Sequence, residues 1–264
     1  MRFILIALCL ALVAPAAEAM VIFSQDFNSS STVSDYVSAT PNSGQFNAIG
    51  ASNVTNTSVA ITSGALAFSK TADPGTAAYS RTTDFTPTPD ALIYKFDLTI
   101  SGNPGSQTTA GIFQIGAGFG TANAAEGTLA NIYARLGVNF GANAGEFQLR
   151  NVSTSANSST FSGTQSITWV LNNSGGPLNY APPAGGSSSV ADDTVDVYVG
   201  NTLVFDDLAV VTSTQVMTDL KFALTQGVGT IAIDNINIST VPEPTMLALA
   251  GLLLFALPRR RRAV

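Results

Sequence analysis

The chain has 264 residues, a formal net charge of −6, one cysteine and no histidine. Without histidine it lacks the usual general base near neutral pH and the commonest transition-metal ligand, which excludes Ser-His-Asp and Cys-His chemistry. Between residues 20 and 240 six basic side chains stand against fifteen acidic ones, a net of −9, and so acidic a body argues against nucleic acid as a partner.

Residues 1–19 read as a secretory signal peptide and are set aside from the fold. Arg2 is its positive start, and residues 3–13 form an eleven-residue apolar run, too short and too early for a spanning helix. Ala17 and Ala19, around Glu18, place small residues where a signal peptidase tests them. Ala14-Pro15-Ala16 offers a second cut. No cap or amphipathic pattern supports a buried N-terminal helix instead. Cys9 lies inside the apolar run, so the mature chain carries no thiol, no disulfide and no thiolate zinc site. Leu8 precedes Cys9 where lipidation would need a small residue.

From residue 20 to 240 helical periodicity is nearly absent. Short runs of period two recur between Gly, Pro, Asn and Ser clusters. Strands are predicted over 21–27, 65–70, 91–100, 110–119, 131–140, 146–150, 166–172, 194–199, 202–206, 220–224 and 230–238. In 91–100, Leu92, Tyr94, Phe96 and Leu98 share one face, opposite Ile93, Lys95 and Asp97. Gly200-Asn201 is a two-residue hairpin signal. In the last strand strict alternation sets Ile231, Ile233, Asn235 and Asn237 against Ala232, Asp234, Ile236 and Ile238, a strand buried in part on both faces. Segments 151–164 and 173–193 read as loops. So many antiparallel strands must manage their edges, and a two-sheet antiparallel β-sandwich of the jelly-roll kind is expected, with the signal helix and a C-terminal hydrophobic helix outside it.

Asp26 falls in the first strand and Asp234 in the last, strands that often lie side by side in a jelly roll. Gln25-Asp26-Phe27 and Ile233-Asp234-Asn235-Ile236 resemble lectin-like and carbohydrate-binding jelly rolls, a resemblance that implies a structural calcium ion held in part by a last-strand aspartate. Calcium takes six to eight oxygen ligands, and the plain alternative is a carboxylate bonded to a loop backbone. Asp192, Asp193 and Asp196 with Asp206 and Asp207 form a second acidic group, which solvated strand ends also explain. Trp169, Tyr180 and Tyr198 are candidates for an aromatic platform under sugar rings. The region from Ile167 to Ile238 resembles concanavalin A-like polysaccharide-binding domains. A lone tryptophan is, however, more often core. Glu126 and Glu146 are the only glutamates of the mature body, a thin basis for the paired carboxylates of glycoside hydrolysis.

Residues 241–264 begin with Val241-Pro242-Glu243-Pro244, extended because proline fixes φ and restricts the residue before it. A twelve-residue apolar run over 246–257 follows, then Pro258 and the cluster Arg259, Arg260, Arg261 and Arg262. The basic cluster stays cytoplasmic and leaves the body outside. This three-part order resembles the PEP-CTERM sorting signal of Gram-negative bacteria. The resemblance covers these 24 residues and implies processing by an exosortase near Pro242, Glu243 and Pro244, transient anchoring in the inner membrane, export to the surface or matrix, and a link to exopolysaccharide. A plain membrane anchor is the alternative. The expected function is a non-catalytic envelope or matrix protein that binds polysaccharide. A structural or adhesive surface protein is the next choice, and a carbohydrate-active enzyme the third.

Overall fold

The computed structural model describes residues 19–241. The signal segment with Ala17, and the tail with Pro242, Glu243, Pro244 and Arg259 to Arg262, lie outside the described residues. Among the described residues no helix is long and apolar enough to cross a membrane.

In chain order the strands are β1 (Val21–Gln25), β2 (Ala48–Ser52), β3 (Thr57–Thr62), β4 (Ala65–Lys70), β5 (Thr76–Arg81), β6 (Ala91–Ser101), β7 (Gln107–Gly116), β8 (Ile132–Phe140) and β9 (Glu146–Arg150). There follow β10 (Phe161–Ser162), β11 (Gln165–Asn172), β12 (Leu178–Tyr180), β13 (Ser188–Val190), β14 (Thr194–Val199), β15 (Thr202–Ala209), β16 (Asp219–Leu224) and β17 (Gly229–Thr240). One sheet runs β15-β14-β11-β6-β17-β4-β3, with β1 also on β17. The second runs β10-β9-β8-β7-β16-β5-β2. Every ladder is antiparallel, and the two sheets form the expected sandwich.

The core is built by alternation. Along β6, Leu92, Tyr94, Phe96, Leu98 and Ile100 point inward and are buried, while Lys95 is exposed. Rings from both sheets interleave. Phe96 stacks on Phe113 at 4.3 Å, Phe113 meets Phe222 at 4.6 Å, and Phe222 meets Phe68 at 5.0 Å and Tyr79 at 5.7 Å. Such pairs add about 0.5–1.5 kcal/mol each beyond the area they bury. Within this layer the Tyr79 and Tyr94 hydroxyls, one from each sheet, share a hydrogen bond of 2.6 Å.

β17 departs from strict alternation. Its register on β6 shifts between Asp234 and Asn237, and Asn235 sits at φ +50°. This bulge reverses the phase of the strand, so Ile231, Ile233, Ile236 and Ile238 all enter the core instead of dividing between faces. The bulge also marks a handover. On the side away from β6, residues Gly229 to Ile233 pair with β4, and Ile236 to Ser239 pair with β1.

Strands β2, β3 and β5 lie where no strand was predicted, and the segment 151–164, read as a loop, contains the two-residue β10 paired with β9. β5 reads TAAYSR and is buried on both faces, so small alanines replace the polar partners that alternation needs. The segment 173–193 is not a plain loop, because it contains the β12–β13 hairpin. The predicted turn at Gly200-Asn201 is present between Val199 and Thr202, with Gly200 at φ +57° as a first-position glycine of this turn requires.

Basic side chains are largely withdrawn. Lys70, Arg81 and Lys221 are buried. Lys70 is paired with Asp73, Arg81 donates to the carbonyls of Asn42 and Gln45, and Lys221 donates to the Gly120 carbonyl at 2.8 Å. Residues 117–131 thereby lie over the outer face of the second sheet, held also by a reciprocal pair of bonds between Gln114 and the Glu126 backbone.

The Tyr79–Tyr94 bond makes a test of the inter-sheet core. Tyr79→Phe or Tyr94→Phe alone strands one buried hydroxyl and should cost about 1–3 kcal/mol in urea unfolding. The double variant removes both hydroxyls and should be less destabilised than either single one. Additive losses would refute the bond.

Candidate functional site

At one end of the second sheet the ladder between β7 and β8 opens. Gln107 pairs with Phe140 and Gly111 with Val138, so the residues between them on β7 bulge around Asn139. Thr109 takes φ +51° there, and its N–H donates to Asn139 Oδ1 at 2.7 Å. Buried Asn103 secures the neighbouring turn, donating to the carbonyls of Gly141 and Asn143 and accepting from Gly145 N–H. The result is a cleft of about 280 Å³ lined by Ser106, Gln107, Thr108, Asn139, Glu146, Gln148, Asn157 and Thr160, among others. Its polar walls are amides and hydroxyls with one carboxylate. Glu146 already accepts from the backbone and side chain of Asn143. Among the described residues no hydrogen bond reaches the Ser106, Thr108 and Thr160 hydroxyls. A second cleft, about 300 Å³, shares Ser106 and Gln107 and extends past Asp73, Pro104 and Gly227. No sequence signal pointed here, because the lining comes from a bulge and four separate segments.

The second feature is acidic. Asp196 on β14 lies opposite Asp206 and Asp207 of β15, since Val195 pairs with Leu208 and Val197 with Phe205. The bulge brings all three carboxylates within 4.8 Å of one another, the only such trio of His, Cys, Asp or Glu among the described residues. Asp196 is buried, Asp206 and Asp207 are exposed. Asp196 accepts from Tyr180 Oη at 2.5 Å and from Asp207 N–H at 2.8 Å, and Tyr180 Oη is bonded to Tyr198 Oη at 2.6 Å. Asp207 accepts from Ala191 N–H and Thr194 Oγ1. Burial pushes the Asp196 carboxyl up, the bonds from Tyr180 and Asp207 N–H pull it back, and the Asp206 and Asp207 charges add to the rise. Carboxylate oxygens are what a hard cation prefers, so the trio is a possible metal-binding group, although part of its lone pairs is already engaged. Asp192 stands apart from it, accepting from Gly175 N–H.

Asp26 and Asp234 lie near each other beside the β17 bulge, and Asp97, which pairs with Asp234 across the β6 ladder, joins them. Burial raises the Asp234 carboxyl, a bond from Asn235 N–H opposes this, and the charges of Asp97 and Asp26 add to it. Asn235 Nδ2 donates to Asp97 at 2.9 Å. These three do not converge as the β14–β15 trio does.

The aromatic platform is corrected. Trp169 is fully buried between the sheets, 6.2 Å from Tyr94, because its inward register places the indole in the core. Tyr180 and Tyr198 are buried beneath the β12–β13 hairpin with Val170, Leu178 and Val190. None of the three presents a face to a sugar. The exposed large apolar side chains among the described residues are Met20, Val21, Val54, Leu129, Leu203 and Val216, none of them aromatic.

No family model matches the chain, and no curated protein matches it. Among solved structures it is similar to a carbohydrate esterase from the Shiga toxin-encoding bacteriophage phi24B, with 11% identity and a TM-score of 0.52 over 86% of this chain and 100% of that one. It is also similar to an endo-1,3-beta-glucanase from Streptomyces sioyaensis, with 13% identity and a TM-score of 0.47 over 87% and 99% of the two chains. A sialidase matches 70% of this chain at 16% identity and a TM-score of 0.45, and the chain spans 16% of that protein. At these identities the likeness is one of fold.

The raised carboxyls set a pH dependence. Burial lifts Asp193, Asp196, Asp219 and Asp234 above the ordinary carboxylate range. A raised folded value favours the protonated form, so the stability they contribute is full below that ordinary range, near pH ~4, and is lost as pH rises through the raised values. Glu126 runs the other way, since bonds from Thr128 and Gly120 and the Lys221 charge together outweigh its burial. The melting temperature should therefore be higher at about pH 4 than at about pH 7, and Asp196→Asn should narrow the gap. Thermal scans at the two pH values check it, and a lower melting temperature in acid would reject it.

Proposed function

We propose that the chain is an exported surface or matrix protein whose sandwich binds polysaccharide without cleaving it. The observation that carries this reading is the amide- and hydroxyl-lined cleft. Its free hydroxyls and the Gln148 amide match a polyol, and a volume near 280 Å³ accommodates one sugar ring with water. The adjoining second cleft supports a chain of sugars rather than a single ring. Recognition here works through hydrogen bonds, since aromatic stacking is not offered. Of the two carboxylates along the clefts, Glu146 accepts from Asn143 and Asp73 is paired with Lys70, whereas glycoside hydrolysis needs one as acid and one as base or nucleophile. The absence of exposed aromatic rings among the described residues favours a second reading, a structural or adhesive protein with no small ligand.

Export and processing rest on the chain ends: the signal segment to Ala19, and Pro242-Glu243-Pro244 with its apolar run and four arginines. These support handling by signal peptidase and an exosortase, a membrane-anchored precursor, and a final place on the surface or in an exopolysaccharide matrix. Glu243→Ala should block processing and leave a membrane-retained precursor, read by fractionation. Normal release would reject the sorting reading.

A structural calcium ion is the cofactor this reading admits, with Asp206 and Asp207 as its exposed ligands. Calcium should raise the melting temperature, Asp206→Ala should abolish the rise, and Asp234→Ala should leave it. An unchanged curve with and without chelator would sink the calcium claim. For the glycan, residues 20–240 should retain a polysaccharide on a glycan array. Gln148→Ala should weaken that binding by about tenfold, the loss expected of one hydrogen bond near 1–1.5 kcal/mol. An array without any retained glycan would leave the structural reading in its place.

A further inference from the structure

We propose that strand β3 is an assembly edge through which two copies of this chain join about a two-fold axis at Ala60. β3 ends the first sheet and pairs only with β4. No hydrogen bond reaches residues 58–62 from any other segment of the described chain, so the outward-directed backbone groups of this edge are unpaired. Native edges are ordinarily blunted by charge, proline, bulges or brevity. β3 reads TSVAIT, six residues without charge or proline, and its ladder with β4 is regular.

Of the other edges, β15 carries Asp206 and Asp207 and two register shifts, β1 carries one register shift and β10 has two residues. β2 is uncharged like β3, but pairing about its Gly50 would set Ile49 opposite Ala51. Self-pairing of β15 would bring like charges together, which opposes it.

The residue pattern of β3 also names the occupant. Antiparallel pairing about Ala60 sets Ser58 opposite Thr62, Val59 opposite Ile61, and Ala60 opposite its own copy. Polar meets polar, β-branched meets β-branched and small meets small, the cross-strand pairs that stabilise a ladder. Val59 and Ile61 already pack against the core cluster, so the union would continue both core and sheet across the axis. Val54, the most exposed large apolar side chain among the described residues, stands in the turn before this edge. A two-fold contact of this kind is self-complementary and closes at the dimer.

The test uses the full chain, exported from a host with an oxidising envelope, in a Cys9→Ala background. Residues directly opposite in an antiparallel ladder lie about 4.5–5.5 Å apart at Cα, within reach of a disulfide. Ala60→Cys should yield a disulfide-linked dimer on non-reducing electrophoresis, and Leu203→Cys on β15 should remain monomeric. Ala60→Lys places like charges at the axis. It should convert the sedimenting dimer to a monomer that still melts cooperatively, because Ala60 is exposed, and whose melting temperature no longer depends on concentration. A wild-type monomer in sedimentation, no cross-link at position 60, or equal cross-linking at position 203 would overturn the proposal.

Discussion

Phe68, Tyr94, Phe96 and Trp169 from one sheet meet Tyr79, Phe113 and Phe222 from the other, and this layer of rings fixes the phase of each strand that contributes to it. A one-residue slip would carry a whole set of side chains to the opposite face. The outward features exist because that slip is forbidden. Asp196 faces away from the core only because Val195 and Val197 must face it, and Lys95 is exposed only because Tyr94 and Phe96 are not. The hydroxyl pair of Tyr79 and Tyr94 adds a directional bond to a layer that dispersion alone would leave less specific.

Where the phase would otherwise fail, the chain inserts a bulge, and each bulge carries a polar consequence. At Asn235 it returns Ile236 and Ile238 to the core and gathers Asp26, Asp97 and Asp234 outside. On β15 it presents Asp206 and Asp207 together to Asp196. At the start of β7 it opens the cleft around Asn139. The sites are by-products of keeping apolar side chains in register, a common place for bulges in β-proteins.

This explains what could be read in advance. Strands with a clear contrast between faces, such as β4, β6, β9 and β14, were legible from alternation, and so was the sandwich they imply. β5 and β2 were not, because alanine and glycine on covered faces erase the contrast. The acidic group was visible as residues, but its convergence was not, since alternation contains no term for an extra residue. Trp169 was legible as an aromatic in a strand. Its face followed from Ile167 and Leu171, which flank it in the same phase and reach the core with it. The cleft drew on segments scattered between residues 106 and 160, whose proximity only the folded ladder creates.

The withdrawal of basic side chains bears on survival outside a cell. Lys70, Arg81 and Lys221 are inside the fold, and Lys95 is exposed but lies in the middle of an eleven-residue strand paired on both sides. An enzyme that cuts after lysine or arginine needs several residues of free, extended backbone. Lys95 and Lys221, inside strands paired on both sides, offer none until the sandwich opens, so degradation at them becomes limited by global unfolding rather than by local fraying. The same arrangement leaves Lys95 as the accessible lysine amine among the described residues. Modification of lysine side chains in the body would therefore report on one face of one sheet.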